Sequence, residues 1–568
     1  MLESKPWLEL YPKEIPATLE YSSEPVQEYL ADAARKFPEK IAIHFMGKDM
    51  TYKHLYEDVL RFASYLQGNM GIKKDDRIAI MLPNTPQAVI SYFGILMAGG
   101  IVVQTNPLYT ERELEYQMKD SGAKAIITLD ILYPRVSKVM PQTDLQHIIV
   151  TAIKDHLPFP KNLVYPYIQK KQYGIVVNVK HEGSSHLLTE ILKESPKKLT
   201  KYKFNPDEDI ALLQYTGGTT GSPKGVMLTH KNLLSNTLMS EAWLYKAKPG
   251  EESMLGIVPF FHVYGMTVCM ILSIKMACKM ILLPKFDALT TLKTIHKQRP
   301  TLFPGAPTIY IGLLNHPDLK KYDLSSIEAC ISGSAALPLE VQEKFEEVTG
   351  GKLVEGYGLS EASPVTHSNF LWDVERVKGS IGVPYPDTDV KIVSIETGEE
   401  MPVGEIGEII IKGPQIMKGY WNRPEETKEV LHDGWLYTGD LGYMNEQGYF
   451  YVVDRKKDMI IAGGYNIYPR EIEEVLYEHP DVLEAVAAGI PDPYRGETVK
   501  AYIVLKEGST VTGDEMNQYA RKYLAAYKAP RLYEFRDELP KTAVGKILRR
   551  MLVEEEKRKI EEEDQKHA

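Results

Sequence analysis

The residues best suited to chemistry stand in one short segment. Between the apolar run Ile210–Tyr215 and the β-like run Val226–Thr229 lies Thr216–Gly225, with four glycines, three threonines, one serine and Lys224. Glycines let backbone N–H groups point at an anion, hydroxyls add donors, and a lysine adds charge. Thr216, Gly217, Gly218, Thr219, Thr220, Gly221, Ser222 and Lys224, with Tyr215 at the entry, therefore point to a polyphosphate. A P-loop needs Ser or Thr directly after its lysine and a helix directly after that. Here Gly225 follows Lys224, and a helix is expected only from about Lys231. A flexible linker fits poorly, because apolar strands bracket the loop tightly.

The elements around this loop alternate. Val26–Phe37 and Tyr52–Leu66 place apolar residues at helical spacing, and Arg77–Met81, Ile101–Gln104 and Lys124–Thr128 read as strands between helices. This pattern predicts a parallel sheet covered by helices. After about Val383 the texture changes to short strands punctuated by Gly and Pro, which predicts a small antiparallel barrel or sheet over roughly 383–455. The charged run Asp454–Asp458 breaks the chain, and about 110 residues of α+β follow, the size of a small domain. The expected division is 1–455 and 456–568. The tail Glu554–Ala568 reads as a solvated helix without an assigned role.

Composition narrows the function classes. The chain has 568 residues, 43% hydrophobic and 25% charged, which suits about three or four folding units and excludes disorder or a disulfide scaffold. A net charge of −10 argues against non-specific nucleic-acid binding, which needs a basic footprint. Cys269, Cys278 and Cys330 are few and odd in number and lack metal-ligand spacing, so a reduced, cytoplasmic chain is expected. The N-terminal residues lack the apolar core of a signal peptide. Lys275 and Lys279 interrupt the apolar stretch Met266–Pro284, which argues against a transmembrane span. Peripheral membrane contact and oligomerisation stay open.

Four more motifs follow the loop: Gly356-Tyr357-Gly358-Leu359-Ser360-Glu361, Trp435–Asp440, Asp454-Arg455-Lys456-Lys457-Asp458 and Pro540–Lys546. With the loop, these resemble in type and order the AMP-forming adenylate ligases: acyl-CoA synthetases, luciferases and peptide-synthetase adenylation domains. Asp433–Glu473 looks most like bacterial long-chain fatty acid:CoA ligases. The resemblance implies an α/β fold with two lobes and a β-barrel in a large N-terminal body. It also implies a small α+β C-terminal domain that is mobile about a hinge. The implied reaction has two steps: carboxylate and ATP give acyl-AMP and pyrophosphate, then the CoA thiol displaces AMP.

The same resemblance assigns roles. Lys546 becomes the catalytic lysine; alone it would be an ordinary exposed lysine. Glu361 and Thr216 stand beside Mg²⁺, although Glu361 behind a Ser360 cap equally suits a helix N-terminus. Asp440 contacts ribose, or else sits in a Gly-Asp turn. Arg455 contacts ribose or phosphate. Tyr357, between Gly356 and Gly358, offers its ring to adenine, or is a core tyrosine; Gly333 and Ser360 join the nucleotide site. Lys457 corresponds to the hinge, and Gly463, Gly464 and Tyr465 to the passage for CoA. A second lysine that some relatives carry four residues beyond the hinge is Ile461 here.

The acyl side is expected at His262, Val263, Gly305, Gly333, Ser334 and Ala335, although ordinary core would explain each. Phe260–Ile274 holds no Asp or Glu. A buried ammonium would need such a partner, so a plain carboxylic acid is favoured over an amino acid. Free CoA fits better than a tethered carrier, for which no segment follows Lys546. The resulting expectation is a ligase for medium- to long-chain fatty acids using ATP, Mg²⁺ and CoA. The alternatives are a CoA ligase for an aromatic or short acid and a nucleotide-binding regulator without catalysis.

Overall fold

The computed structural model describes residues 5–174, 177, 179–181, 183–216, 223–462, 465–492, 494–542 and 545–567. Two mixed sheets carry most of the chain. One runs in the order Gly419–Tyr420, Lys224–Thr229, Ile210–Thr216, Ile101–Gln104, Arg77–Met81, Ala125–Leu129, His147–Thr151, Ser185–Leu187. From Ile210–Thr216 onward its neighbours are parallel. Ile101–Gln104 and Ala125–Leu129 are buried at every position, so they read as continuous apolar runs rather than alternating ones. The second sheet has a parallel centre, Lys352–Gly358, Ala329–Ser332, Leu302–Gly305, Ser253–Gly256, Lys279–Leu282 and Ile41–Phe45, with antiparallel strands at its edges. Helix Pro86–Met97 is buried at all but its last residue. Thr85 caps it and Pro86 starts it. A helix apolar all round belongs in the interior.

Apart from Gly419–Tyr420, the strands between Asp389 and Arg455 form an open five-stranded antiparallel sheet, not a closed barrel. The reason is visible in strand Trp435–Met444. Leu431–His432 pairs with its first half, and Phe450–Arg455 pairs with its second half on the same edge. Two short strands thus share one edge where closure would need another full-length strand. The apolar stretch after Gly265 folds as a π-helical turn, Gly265–Ile271, a short helix, Leu272–Lys275, and strand Lys279–Leu282. Among the described residues no helix is long and apolar enough to cross a membrane.

The residues after Arg455 build their own sheet from Ile460–Ala462, Tyr465–Ile467, Val482–Asp492, Gly496–Leu505 and Leu532–Phe535. Side chains alternate across it. Ala485, Ala487 and Ile503 face Ile472, Leu476 and Met516, while Val486, Ala488 and Tyr502 face Leu552. Both clusters are separate from the large core shared by the two main sheets. The solvated tail expected after Glu554 belongs to helix Arg549–His567, anchored by Leu552 and by Lys500 pairing with Glu556 at 2.8 Å.

Because this core is its own, damage to it should stay local. Leu476→Ala removes a fully buried side chain and should cost about 2–5 kcal/mol. Hydrogen exchange should accelerate across 460–540 while strand Ile101–Gln104 keeps its protection. Equal acceleration in both regions would show a single cooperative core.

Candidate active site

Ligands of open α/β sheets sit beyond the carboxyl ends of parallel strands, and the candidate residues gather there. Gly305, Ser332 and Glu355 are in register at the ends of three adjacent strands. Gly333 and Ser334 leave the middle one; Gly356 and Tyr357 continue the third. The hydroxyls of Ser332 and Ser334 are buried and, among the described residues, have no hydrogen-bond partner. Such groups call for an external acceptor or donor. Ala335 is exposed on the same loop.

From the other sheet, Ile210–Thr216 and Lys224–Thr229 form a hairpin in which Thr216 pairs with Lys224. The loop positions Gly217, Gly218, Thr219, Thr220, Gly221 and Ser222 lie outside the described residues. The hairpin around them is tied on every side. Tyr215 Oη donates to Asp120 at 2.7 Å, Tyr116 Oη to the Pro223 carbonyl at 3.0 Å, and Trp421 N to the Gly225 carbonyl at 2.7 Å. Lys224 is paired with Glu426 at 2.6 Å and lies 5.1 Å from the Tyr420 ring. The Tyr420 hydroxyl in turn donates to Glu361 at 2.8 Å. The sequence did not single out Tyr420, Glu426 or Asp120, because each acts through a pairing made across sheets.

Glu361 sits in a three-residue 3-10 turn, Ser360–Ala362, in which no side chain caps the start. Ser360 is the first residue of that turn, not its cap, so the helix-terminus explanation for Glu361 fails: one turn has too few aligned peptides for a dipole. Among the described residues the second carboxylate oxygen of Glu361 has no hydrogen-bond partner. Glu361 offers a hard oxygen donor, which suits Mg²⁺, and Thr216 pairs with Lys224, whose ammonium lies over the ring of the Tyr420 that binds Glu361.

Asp440 lies within strand Trp435–Met444, not in a turn, and is 6% exposed. It accepts from the Tyr357 hydroxyl at 2.6 Å and pairs with Arg455 Nε at 3.3 Å. The two residues are cross-strand partners. Tyr357 therefore spends its hydroxyl on Asp440, and its ring meets His367 edge-on with centroids 5.7 Å apart. Gly358 is required by the Pro364 carbonyl, which would lie 2.1 Å from any Cβ placed there.

Lys546 reaches this cluster from the C-terminal sheet. It is half-buried, within electrostatic range of Arg455, Asp440, Asp458 and Lys457. Burial first, then repulsion by Arg455, lowers its pKa to about 8. Lys457 is lowered too, by burial and then Arg455. The Lys546 turn is held by Thr542, whose N–H donates to the Lys546 carbonyl at 2.8 Å and whose Oγ1 accepts from Lys546 N at 3.1 Å. Gly545 has φ +79°, and a Cβ there would lie 2.1 Å from Thr308 Oγ1 of helix Pro307–Leu314. Only glycine allows this approach.

His262 also faces Lys546. Burial, reinforced by that lysine, lowers it to about 4, so the imidazole is neutral. Its Nδ1 accepts from Tyr264 N at 3.4 Å. Val263 and Tyr264 are buried, and the single Tyr264 Oη proton is shared between the carbonyls of Ile331 at 2.7 Å and Gly305 at 3.1 Å. The rings of Tyr310 and Tyr264 fill the space beside Gly305 and Gly333. An apolar cavity is lined by residues such as Trp243, Met254, Val268, Leu272 and Phe303. Gly463 and Gly464 lie outside the described residues; Tyr465 is exposed and stacks on Tyr527 with centroids 4.6 Å apart.

Comparison with known proteins follows this geometry. The family described as AMP-binding enzyme matches residues 30–421, and the AMP-binding enzyme C-terminal domain matches 471–546. A long-chain-fatty-acid–CoA ligase of Bacillus subtilis is 60% identical over 557 residues, covering 98% of this chain and 99% of that one. One from Yersinia pestis is 40% identical, covering 97% and 98%. Among solved structures, ATP-bound MatB from Rhodopseudomonas palustris superposes with TM-score 0.82 at 30% identity, covering 94% of this chain and 99% of that one.

The contact of Gly545 with Thr308 can be tested without any substrate. Gly545→Ala should push the Lys546 turn off helix Pro307–Leu314, so that trypsin cleaves after Lys546 at least about tenfold faster. Global stability should change by less than about 1 kcal/mol, since the turn lies at the surface of both cores. Unchanged cleavage would show that the turn does not depend on this contact.

Proposed function

The chain belongs to the AMP-binding enzyme family, and we propose that it activates medium- to long-chain fatty acids with ATP and transfers them to CoA. It is an acid–thiol ligase forming AMP. In the first step a carboxylate oxygen bonds to the α-phosphorus of ATP and pyrophosphate leaves. In the second the CoA sulfur bonds to the acyl carbon and AMP leaves with the C–O bond electrons. The observation that carries this reading is the convergence of Lys546 on the Tyr357–Asp440–Arg455 cluster.

The residues fit the requirements of each step. Carboxylate and triphosphate repel, so the first step needs fixed positive charge aimed at the α-phosphate. Arg455, kept cationic by Asp440, and protonated Lys546 supply it. Asp440, with Tyr357 and Arg455 fixing its carboxylate, is placed to accept from ribose hydroxyls. The hairpin around Lys224 and the free hydroxyls of Ser332 and Ser334 suit phosphate and nucleotide. Glu361 and Thr216 would hold Mg²⁺, which neutralises phosphate charge when bound. Neutral His262 next to Lys546 borders the acyl side without adding charge. For the second step we take Lys457 as the pivot between units 1–455 and 456–568, with CoA entering past Gly463, Gly464 and Tyr465.

The acyl preference draws on the apolar cavity lined by residues such as Trp243 and Phe303 and on the names of the relatives. We also place the protein in the cytoplasm, with its three buried cysteines as thiols, in peripheral contact with membrane. Each buried methylene is worth about 0.8 kcal/mol, so kcat/KM should rise up to about fourfold per carbon until the chain outgrows its tunnel. Pyrophosphate release across acids from about 2 to 18 carbons tests the reading. An optimum at about four carbons or fewer, or with benzoate, would replace the fatty-acid assignment with the short or aromatic alternative.

Lys546→Ala should lower acyl-AMP formation by about 10²–10³ and spare thioester formation from supplied acyl-AMP. Because the working form is the cation, kcat/KM for adenylation by the native enzyme should fall as pH rises above about 8. Equal losses in both half-reactions, or no alkaline limb, would remove Lys546 from this role.

A further inference from the structure

Helix Lys161–Tyr173 turns a run of its apolar residues outward, the wrong direction for a soluble surface. Its outward positions are Leu163, Val164, Tyr167 and Ile168, while polar Asn162 and Gln169 face inward. Gln169 donates to Asp130 at 2.9 Å, and the buried Asn162 Oδ1 has no partner among the described residues. Leu163 is 68% exposed and Tyr167 75%, and Phe159, just before the helix, is 79%. Scattered exposed apolar residues are ordinary, but a contiguous stripe marks a contact surface.

Charge identifies the partner. From His156 to His181 the sequence has no Asp or Glu and four lysines, Lys161, Lys170, Lys171 and Lys180, in a chain of net charge −10. Lys170 and Lys171 are exposed at the end of the same helix. Apolar and aromatic residues on one face flanked by lysines describe a helix that lies in a lipid headgroup layer and favours anionic lipid. A second copy of the chain suits it less. A stable dimer needs about 800 Å² per partner, on the order of 20–30 residues, and this helix has 13.

Position gives the surface a purpose. The helix follows strand His147–Thr151, and Gln169 binds Asp130 directly after strand Ala125–Leu129. Both strands are parallel to Ile210–Thr216 and four or fewer places away in the same sheet. At about 4.8 Å per strand, the helix stands over the same carboxyl-end edge as the phosphate hairpin, roughly 19 Å along it.

We propose that the outward face of Lys161–Tyr173, with Phe159, docks the enzyme on an anionic bilayer and so brings the active-site edge to a lipid surface. The docking itself rests on exposure and charge; only its use in collecting acyl chains rests on the proposed function.

The test is sedimentation of the full-length protein with phosphatidylcholine vesicles containing about one quarter phosphatidylglycerol, without ATP, against pure phosphatidylcholine. The native protein should partition onto the anionic vesicles. Leu163→Ser with Tyr167→Ser should weaken partition at least about tenfold on them, and Lys170→Glu with Lys171→Glu should do the same there while changing pure phosphatidylcholine little. Pyrophosphate release with dissolved octanoate should stay within about twofold of native in both variants. That arm separates a failed surface from a failed enzyme assignment. The proposal is overturned if the native protein stays in solution, if either double variant partitions as native, or if sedimentation velocity shows a dimer that Leu163→Ser with Tyr167→Ser abolishes.

Discussion

An ammonium group has to leave most of its water behind to stand beside a nucleotide, and the arrangement around Lys546 answers that cost. Desolvation lowers its pKa most, and Arg455 and Lys457 push the same way. Asp440 and Asp458 oppose them, and the balance leaves Lys546 titrating at about 8. A polyphosphate bound there would add negative charge and move that balance further toward the cation. An arginine there would stay charged without such neighbours, but its guanidinium is a broad fork rather than a point charge. The cluster is thus tuned for an anion that arrives, rather than neutralised by the fold in advance.

Holding that lysine in place is the work of a second set of charges. Arg549, three residues on, donates to Asp458 at 2.8 Å and Glu473 at 2.7 Å, and lies 3.7 Å from Asp454. Arg470 donates to the Val452 carbonyl at 2.9 Å and lies 3.8 Å from Glu355, one residue before Gly356. Burial raises both acids, Asp454 to about 6. Largely buried ion pairs of this kind add little net stability, since desolvation offsets attraction, but they penalise every arrangement that leaves a charge unpaired. Their contribution is register: the Lys546 turn, the segment Asp454–Asp458 and the Tyr357 strand are fixed relative to one another. A rotation of the C-terminal sheet would have to exchange these contacts for water, which is affordable because the pairs are near break-even.

Motifs were legible in the sequence because their chemistry is local. The glycines around Tyr357, the hairpin flanks of Thr216–Gly225, and strands such as Arg77–Met81 and Ile101–Gln104 follow from composition and period. The separate C-terminal core follows from the charged break at Asp454–Asp458. What the sequence missed depends on contacts between distant segments. Tyr420 reaches Glu361 only because strand Gly419–Tyr420 pairs with Lys224–Thr229. Thr308 explains Gly545 only once helix Pro307–Leu314 is packed against it. The barrel failed for a related reason: strand count and turn residues were readable, whereas the sharing of one edge by Leu431–His432 and Phe450–Arg455 is a matter of register.

The acyl side shows the same limit in a form that bears on specificity. Small residues at Gly305, Gly333 and Ala335 suggested room for a chain, yet glycine there serves a different end. Gly305 and Gly333 let Tyr310 and Tyr264 pack against the backbone, and Tyr264 then closes onto the carbonyls of Gly305 and Ile331. The hydroxyl's single proton is shared between the two carbonyls, so moving the ring would forfeit one bifurcated hydrogen bond, about 1 kcal/mol. The apolar cavity has Phe303 and Ile331 from the adjoining strands among its lining. An acyl chain entering it would gain about 0.8 kcal/mol for each methylene it buries. A path that moved the Tyr264 ring would first forfeit its shared hydrogen bond, which about two such methylenes offset. A preference for long chains therefore needs no residue that recognises the far end of the chain.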